Sequence, residues 1–490
     1  MENIINTIVG YIWSDALVYL ALGVGIYFTI MTRAVQIRYF KEMIRLLFDK
    51  QSSSAGISSF QAFCMALSGR IGVGNIAGVA TAIAAGGPGA VFWMIFMGVL
   101  GGASAFIEST LAQVYKHKVG DQYRGGSPFY IERGLKLKPF AIIVAIVTCL
   151  SYGVLVPGVQ ANTIADSFNT AFNIPPVVTG IILVVLLGII IFGGVKRIAN
   201  FAGKVVPVMA IGYILMMVIV LAFNAQNIPA MFALIFKSAF GMDAVFGGMV
   251  GTAISWGVRR AVFSNVAGAG EATFSSAAAE VSHPAKQGLV QSFSIYIDTV
   301  LVCTATALMI LSTGMYNVVT PEGVTLVDNM PGIEAGTAFT QAAVSTVFNQ
   351  YGSGFVAIAI FLFAFTCLVA YYYIAETTLV YLDNKLRYPI LKHVLKLVFL
   401  IVCFTGSVQS IGMMWALGDI GFGSMCYLNF IAILLLSKVA LKVLKDYDEQ
   451  MKLGINPVFD PRKAGVDNAD FWIEYSNEHG HKKIALIIVH

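Results

Sequence analysis

The chain has 490 residues, of which 58% are hydrophobic and only 12% are charged, and its formal net charge is +5. Soluble domains are about 45–50% apolar and about 25% charged, because their surfaces need solvated charge. The composition therefore excludes an ordinary soluble enzyme and predicts an all-α polytopic membrane protein. The basic residues lie between apolar segments rather than along one exposed stripe, which argues against binding to nucleic acid.

Eleven apolar segments approach or exceed the length of about 20 residues that a membrane-spanning helix needs. We number them helices one to eleven in chain order. Their predicted bounds are 15–32, 58–85, 90–114, 140–161, 177–192, 205–223, 244–279, 289–313, 354–382, 395–415 and 420–442. The sequence thus predicts a transmembrane domain over residues 1–445 and a polar tail over residues 446–490.

Basic residues are concentrated in alternate loops. Five follow helix one, ending at Lys50, six follow helix three, three follow helix five, one follows helix seven, and four, including Arg387, follow helix nine. The other loops contain Lys237 and almost no other basic residue. Because short cytoplasmic loops are enriched in Lys and Arg, we expect the N-terminus outside and the tail in the cytoplasm.

Two helices carry glycine clusters at mid-membrane depth. Gly72, Gly74 and Gly78 lie in helix two, and Gly268 and Gly270 lie in helix seven. Glycine weakens a helix by about 1 kcal/mol relative to alanine, and a break at this depth persists only where it lines a cavity or is buried in protein. We therefore predict that both helices are interrupted. The alternative is that these glycines only allow close helix packing.

The two interrupted helices also resemble each other in sequence. Residues 70–78 read R-x-x-x-x-N-I-A-G, and residues 260–268 read R-x-x-x-x-N-V-A-G. Five helices separate one start from the next, so the second set would be inserted upside down. This pattern predicts an inverted five-plus-five repeat, over residues 58–223 and 244–442, as in LeuT-type sodium-coupled transporters. Helix one would be an extra, peripheral helix.

A helix that breaks inside a membrane exposes backbone groups that can bind a ligand. Free N–H groups at the start of a half-helix attract a carboxylate, while freed carbonyls and hydroxyls suit a hard cation such as sodium. Asn75 and Asn265 add amides to the breaks. Gln160 in helix four is a further polar candidate, and Thr366 in helix nine is the predicted cation ligand. Tyr371 is a candidate pocket wall, with ordinary packing or an interfacial aromatic belt as the alternative.

Ionisable residues within predicted membrane helices are functional candidates by default. Arg70 and Asp298 have the greatest need for partners of opposite charge, and a structural ion pair is the alternative to a transport role. We expect Glu108 and Asp166, nearer the helix ends, to be only partly desolvated. The deepest ionisable residues are Arg70, Arg259, Arg260, Glu271, Asp298 and Glu376.

Several blocks of the chain resemble the alanine/glycine:cation symporter family. The block from Gly74 to Trp93, GNIAGVATAI followed by GGPGAVFW, is the most specific; YRGGSPFYIERGL, VQANTIA and the tail NPVFDP…NADFW also match. The resemblance covers nearly the whole chain. It implies a LeuT-type fold, a cytoplasmic-membrane location, and sodium-coupled uptake of small neutral amino acids such as alanine or glycine.

The resemblance also implies which residues form the site. The sodium site implied in this way comprises Ile71, Thr366 and Cys367. The implied substrate-binding residues are Gly72, Gly74, Asn75, Gln160, Phe263, Ser264, Asn265 and Tyr371.

The chain departs from the family pattern beside this site. Val266 stands where the family usually has glutamate, and Cys367 follows Thr366 where a second threonine is common. Glu271 stands where the family tends to have a small or polar residue. We predict that Val266 weakens transport or coupling. We also predict that Glu271 either pairs with Arg70 or Arg260 or makes activity pH-dependent, unless it simply reaches water.

Other functions fit the sequence less well. A channel would show rings of like charge or filter loops, and a membrane enzyme would show a metal cluster or a nucleophile with its base. The predicted helices contain neither pattern and no histidine. A proton-coupled amino-acid transporter of the same fold is the closest alternative, given the buried acids. The sequence does not rank alanine, glycine, serine or glutamine as substrate.

Overall fold

The computed structural model describes residues 2–49, 55–120, 122–386 and 391–477. Lys50, Arg387 and the last part of the predicted tail, residues 478–490, lie outside the described residues. The described chain is almost entirely helical. Two short antiparallel ribbons complete it: His117–Val119 pairs with Gln122–Arg124, and Asn317–Val319 pairs with Thr325–Asp328.

The helices follow the predicted order, with several short additions between them. Helices one, three, five, six, nine, ten and eleven are Asp15–Met31, Gly89–Val114, Pro176–Ile191, Gly194–Phe223, Gln350–Leu386, Leu391–Val408 and Ile411–Leu435. Helices four and eight run over Lys138–Phe172 and Pro284–Thr313, each with a widened π-helical turn, at Ser151–Leu155 and Tyr296–Cys303. The additional helices are Glu2–Ile12, Val35–Arg38, Phe40–Leu47, Ser127–Gly134, Ile228–Ala239, Thr337–Phe348, Ser437–Lys452 and Pro461–Ala464.

Helices two and seven are both interrupted, as predicted. Helix two consists of Ser59–Arg70 and Ala77–Gly86, and helix seven consists of Val250–Asn265 and Ala272–Ala278. The helix-seven break contains three residues in the left-handed region, namely Val266 at φ 51° and Gly268 and Gly270, each at φ 87°. The two glycines adopt this conformation without strain, whereas a β-branched side chain such as that of Val266 rarely does.

Eight helices in the described part of the chain are long and apolar enough to cross a membrane. Helix five, although shorter, shows how such helices face their surroundings. Every fourth residue from Val177 to Ile189 is aliphatic and about half exposed, at 49–57%. The opposite stripe, through Leu183 and Leu187, is buried. A continuous exposed aliphatic stripe of this kind suits contact with lipid, and the chain is a multi-pass membrane protein.

The predicted boundary between helices ten and eleven is wrong. Helix ten ends at Val408 rather than at Trp415, and helix eleven begins at Ile411 and contains Trp415. The prediction placed the gap near Asp419 because a carboxylate normally disfavours a membrane helix. In the structure Asp419 is buried within helix eleven and pairs with Arg259 and Arg260 of helix seven.

Small residues allow helix three to pack closely against the elements around the breaks. Gly101 lies so near Ala267 that a Cβ there would be 3.0 Å from the alanine methyl. A Cβ on Gly257 would lie 2.5 Å from the carbonyl oxygen of Ala90. These contacts bring helix three against both parts of helix seven, so the breaks of helices two and seven lie inside the bundle.

Candidate functional site

The break of helix two is held by polar side chains from helices four and nine. The Gln160 side-chain oxygen accepts a hydrogen bond from the Val73 amide at 3.2 Å, and its amide nitrogen donates to the Tyr371 hydroxyl at 3.1 Å. Tyr371 in turn donates to the Gly69 carbonyl at 3.3 Å. Both predicted residues therefore contact the break, where they satisfy backbone groups that a continuous helix would have paired internally.

Gly72 and Gly74 lie where no larger side chain fits. A Cβ on Gly72 would lie 2.5 Å from the Cys367 sulfur and 3.0 Å from the Gln160 side-chain oxygen. A Cβ on Gly74 would lie 3.1 Å from the Ser264 Cα. The break of helix two therefore touches helices four and nine on one side and the end of the first half of helix seven on the other.

Asn75 connects the break to helix eight. Its side-chain oxygen accepts from the Gly72 amide at 2.8 Å, and its nitrogen donates to the Asp298 carboxylate at 2.7 Å. Ser264 of helix seven donates to both oxygens of the same carboxylate, at 3.1 and 3.3 Å, and Thr299 donates at 2.7 Å. Asp298 thus joins both interrupted helices.

Asp298 lies in the π-helical turn Tyr296–Cys303 and has no accessible surface. Such turns are rare and are found frequently at functional sites. All of its hydrogen-bond donors are neutral, and none of the ion pairs observed within the described chain involves it. A buried carboxylate is costly unless it is paired, protonated or bound to a cation. Asp298 is therefore a buried site for a positive charge.

The three predicted sodium ligands differ in their geometry. The Cys367 thiol points at the break and lies 3.2 Å from the Gly69 carbonyl and 3.5 Å from the Ile71 carbonyl. The Thr366 hydroxyl instead donates to the Phe363 carbonyl of its own helix at 2.9 Å. The structure brings Ile71 and Cys367 together but turns the Thr366 hydroxyl towards its own helix.

Asn265 also takes a local role. Its side-chain oxygen accepts from the Ala267 amide at 2.9 Å, which caps the end of the first half of helix seven. It lies beside Gly101 of helix three rather than with Asn75. Phe263, two residues earlier, packs against Trp415 with ring centroids 5.0 Å apart. Of the predicted helix-seven residues, Ser264 is the one that reaches Asp298.

Arg70 and Glu108 form a second buried polar group. The Arg70 guanidinium lies 3.9 Å from a Glu108 oxygen and donates to the Gln291 carbonyl and the Ser294 hydroxyl. Glu108 has no accessible surface and accepts from the Gly270 amide at 3.1 Å. The expectation that Glu108 is only partly desolvated is wrong, because the helix-seven break and helix eleven pack over this part of helix three.

Glu271 has a different partner from the one predicted. It accepts a 2.7 Å hydrogen bond from the Tyr152 hydroxyl, and no arginine lies within ion-pair distance of it among the described residues. Arg260 is held elsewhere, 3.5 Å from Asp419 and against the Trp415 ring. Tyr152 reaches Glu271 from the π-helical turn of helix four. The predicted pairing with arginine is therefore wrong.

A cavity of about 200 Å³ leads from one face of the molecule towards the helix-two break. Ala77, the first residue of the second half of helix two, and Trp415 line it together with Thr163 and Asp166. The loop through residues 332–338 forms the remaining wall, and Thr337 donates to Asp166 at 3.2 Å. The positive end of the second half of helix two is thus reached from this face.

Comparison with known proteins places this geometry in a family. The sodium:alanine symporter family matches residues 1–461. The chain belongs to this family. It is accordingly a transporter and not an enzyme, and the resemblance seen in the sequence is confirmed.

Three relatives show the extent of the similarity. The symporter is 55% identical to a putative sodium/proton-dependent alanine carrier protein, YrbD, of Bacillus subtilis (strain 168), over 98% of this chain and 99% of the relative. It is 53% identical to a sodium/proton-dependent alanine carrier protein of Bacillus sp. (strain PS3), over 90% and 98%. It is 34% identical to the sodium/alanine symporter AgcS of Methanococcus maripaludis, over 92% and 98%.

Sequence reasoning missed four contributors to the symporter's buried polar groups. Cys303 lies 3.3 Å from the Asn75 amide nitrogen, and Tyr152 binds Glu271. Asp419 neutralises two arginines, and Asn429 of helix eleven donates to Glu108 at 3.0 Å. Asp419 and Asn429 could have been found, since polar side chains inside an apolar helix need partners. Cys303 and Tyr152 carry no such signal, because both residue types are common in apolar cores.

Proposed function

We propose that the chain is a secondary active transporter that takes up alanine or a similarly small neutral amino acid together with sodium, by alternating access. The observation that carries this proposal is the junction of both broken helices at Asp298. It combines backbone polar groups that suit a zwitterion with a buried negative charge that suits a cation. The names of the 55% and 53% identical relatives support alanine as the substrate.

We further propose a LeuT-type fold of eleven membrane helices with an inverted five-plus-five repeat and helix one as the peripheral extra helix. Eight long apolar helices, the shorter Pro176–Ile191 and the two interrupted helices add up to eleven. The breaks in helices two and seven fall at the same position of each five-helix set, which supports the repeat. On this proposal, residues 1–445 form the transmembrane domain.

The orientation we propose has the N-terminus outside and the tail in the cytoplasm. It rests on the basic residues that follow the odd-numbered helices. Cysteines introduced at Asn317 and Glu334 should then react with an impermeant reagent added outside intact cells, whereas one at Asp460 should not. The reverse labelling pattern would exclude this orientation and the repeat that depends on it.

For the substrate, the positive end of the second half of helix two is the proposed carboxylate site. Its first residue, Ala77, lines the cavity, and the N–H groups of a helix start attract anions. Phe263 and Trp415 pack together between this cavity and the Ser264–Asp298 contact. We infer that these two rings separate a bound amino acid from the cavity when the site is closed.

For the coupling ion, two positions are available. The carbonyls of Gly69 and Ile71 beside Cys367 form one, to which Thr366 would contribute only after its hydroxyl leaves the Phe363 carbonyl. Asp298 forms the other. Because its carboxylate is buried among neutral donors, it could be balanced by sodium or by a proton. Proton-coupled transport is therefore the second candidate function.

Uptake of radiolabelled alanine into proteoliposomes under imposed gradients tests these alternatives. We expect accumulation driven by a sodium gradient, and Asp298→Asn should abolish its dependence on the cation gradient. Asp328→Asn is the matched control, since Asp328 lies on an exposed ribbon. Accumulation that follows a pH gradient and ignores sodium would support the proton alternative. Equilibration without accumulation under either gradient would exclude secondary active transport.

A further inference from the structure

The segment that leads into helix two is joined to the end of helix seven. The Ile57 amide donates to the Ala278 carbonyl at 3.0 Å, and the Ile57 carbonyl accepts from the Glu280 amide at 2.9 Å. On its other side, the Tyr123 amide donates to the Ala55 carbonyl at 3.2 Å. We call residues 55–58 and 278–280 the gate strands. They join the first half of helix two to the second half of helix seven, below both breaks.

The tail, residues 456–477, continues from this pair of strands. The Phe459 amide donates to the Ser282 carbonyl at 2.9 Å, and the Ser282 hydroxyl donates to the Pro457 carbonyl at 2.7 Å. Asn456 accepts from the Lys286 ammonium at 2.8 Å. These contacts begin two residues after the gate strands end, so the tail is held by the connection between helices seven and eight.

Lys116 joins the tail to the gate strands directly. Its ammonium donates to the Ala279 carbonyl at 2.8 Å. The same nitrogen lies 4.5, 4.4 and 5.2 Å from the ring centroids of Tyr123, Phe471 and Trp472. A cation over aromatic faces is attracted by their negative quadrupoles, and the attraction is larger when water is excluded. Lys116 is only 1% exposed, so water is excluded here.

Trp472 is the anchor of the tail. Its side chain is fully buried, and its indole nitrogen donates to the Gln113 carbonyl at 2.8 Å, at the end of helix three. The tail also forms an ion pair between Asp470 and Arg133 at 2.5 Å, but Asp470 is largely exposed. Exposed ion pairs contribute little to stability, so the buried aromatic contacts around Lys116 hold the tail.

We propose that the tail is a latch that holds the gate strands together, and that its release precedes opening of a path from the broken helices to this face. The proposal rests on alternating access, which belongs to the proposed function. In that cycle the two half-helices that meet at the gate strands must separate. Lys116, Phe471 and Trp472 oppose this separation because they bind the Ala279 carbonyl and the end of helix three together.

Accessibility of the gate strands to a reagent tests the latch without any transport measurement. A cysteine introduced by Ala278→Cys in the full-length chain would be labelled with an impermeant maleimide, and the rate compared with that of the parent chain. Ala278 is 3% exposed, so we expect slow labelling. Trp472→Ala should raise the labelling rate about tenfold, as expected for the loss of one buried cation–π contact and one hydrogen bond. Trp472→Phe should restore part of the difference.

Glu474→Ala is the matched control, because Glu474 is exposed on the same tail. If Trp472→Ala fails to fold, a protease site inserted at the exposed Gly454 would release the tail from folded protein instead. Faster labelling in the released state, with the control unchanged, supports the latch. Unchanged labelling after tail release, or equal increases in the control, would overturn it. Faster labelling in a protein that fails to accumulate alanine would refute the proposed function and leave the latch standing.

Discussion

Replacing Gly72 by alanine perturbs the helix-two break at the position where it is most tightly enclosed. The backbone of Gly72 is extended, with φ −142° and ψ −150°, so alanine has no conformational strain there. The added methyl would lie 2.5 Å from the Cys367 sulfur and 3.0 Å from the Gln160 side-chain oxygen. Any effect therefore comes from packing, and Cys367 and Gln160 must shift for the methyl to fit.

The magnitude follows from the cost of an overpacked core. Inserting a methyl into a well-packed site costs about 1–3 kcal/mol, or about 5- to 150-fold in an equilibrium constant. The cost falls on the conformation in which the break contacts helices four and nine. We expect Gly72→Ala to lower the initial rate of alanine uptake at least about fivefold. Adding Cys367→Ala should recover part of the rate relative to Cys367→Ala alone, because the nearest clashing atom is removed.

Initial uptake rates in proteoliposomes, normalised to inserted protein, measure both effects. Gly188→Ala is the control, since a Cβ on Gly188 would meet nothing within 4 Å. Normal uptake by Gly72→Ala would refute the argument that the break works only in close contact with these helices. Absence of recovery in the double variant would show that Cys367 is not the limiting contact.

Three further predictions concern the breaks and their partners. Gly74→Leu should abolish alanine uptake in a folded protein, because even a Cβ there would lie 3.1 Å from the Ser264 Cα; normal uptake would place the site elsewhere. Tyr152→Phe leaves Glu271 without its hydrogen bond, and should lower stability by about 1–3 kcal/mol in thermal unfolding. Val266→Gly should raise stability by about 1 kcal/mol by removing a side chain from the left-handed region, and an unchanged melting temperature would contradict this.

The sequence predicted both interruptions because their cause is local. Glycine clusters weaken a helix wherever they occur, and Asn75 can pair with the backbone that a break exposes. The end of helix ten was not predictable in this way. Asp419 reads as the edge of a helix until its partners, Arg259 and Arg260, are known, and these lie about 160 residues away along the chain.

The candidate cation ligands show a second limit of sequence reasoning. Thr366 supplies an oxygen at a suitable depth, but a threonine in a helix can donate to a carbonyl one turn earlier. It does so here, to Phe363, while Cys367 faces the break. Adjacent residues on a helix point about 100° apart. Composition identifies which residues could bind a cation, whereas the packing of helix nine decides which of them reaches the break.

The buried charges separate into different roles once their partners are known. Glu108, Glu271 and Asp298 are all buried near the breaks, and Arg70 pairs with Glu108. Glu271 is held by Tyr152, whose hydroxyl fixes it beside helix four. Asp298 differs because two of its donors, Asn75 and Ser264, come from the two interrupted helices.

A cation or proton that arrives at Asp298 would compete with these donors for the carboxylate oxygens. Its arrival would therefore change the contacts of helices two and seven at the same time. Binding at this one carboxylate can bias both halves of the proposed repeat, which is what coupling between an ion and a conformational change requires. Neither Glu108 nor Glu271 offers this linkage through the hydrogen bonds it accepts, because neither joins the two interrupted helices to each other.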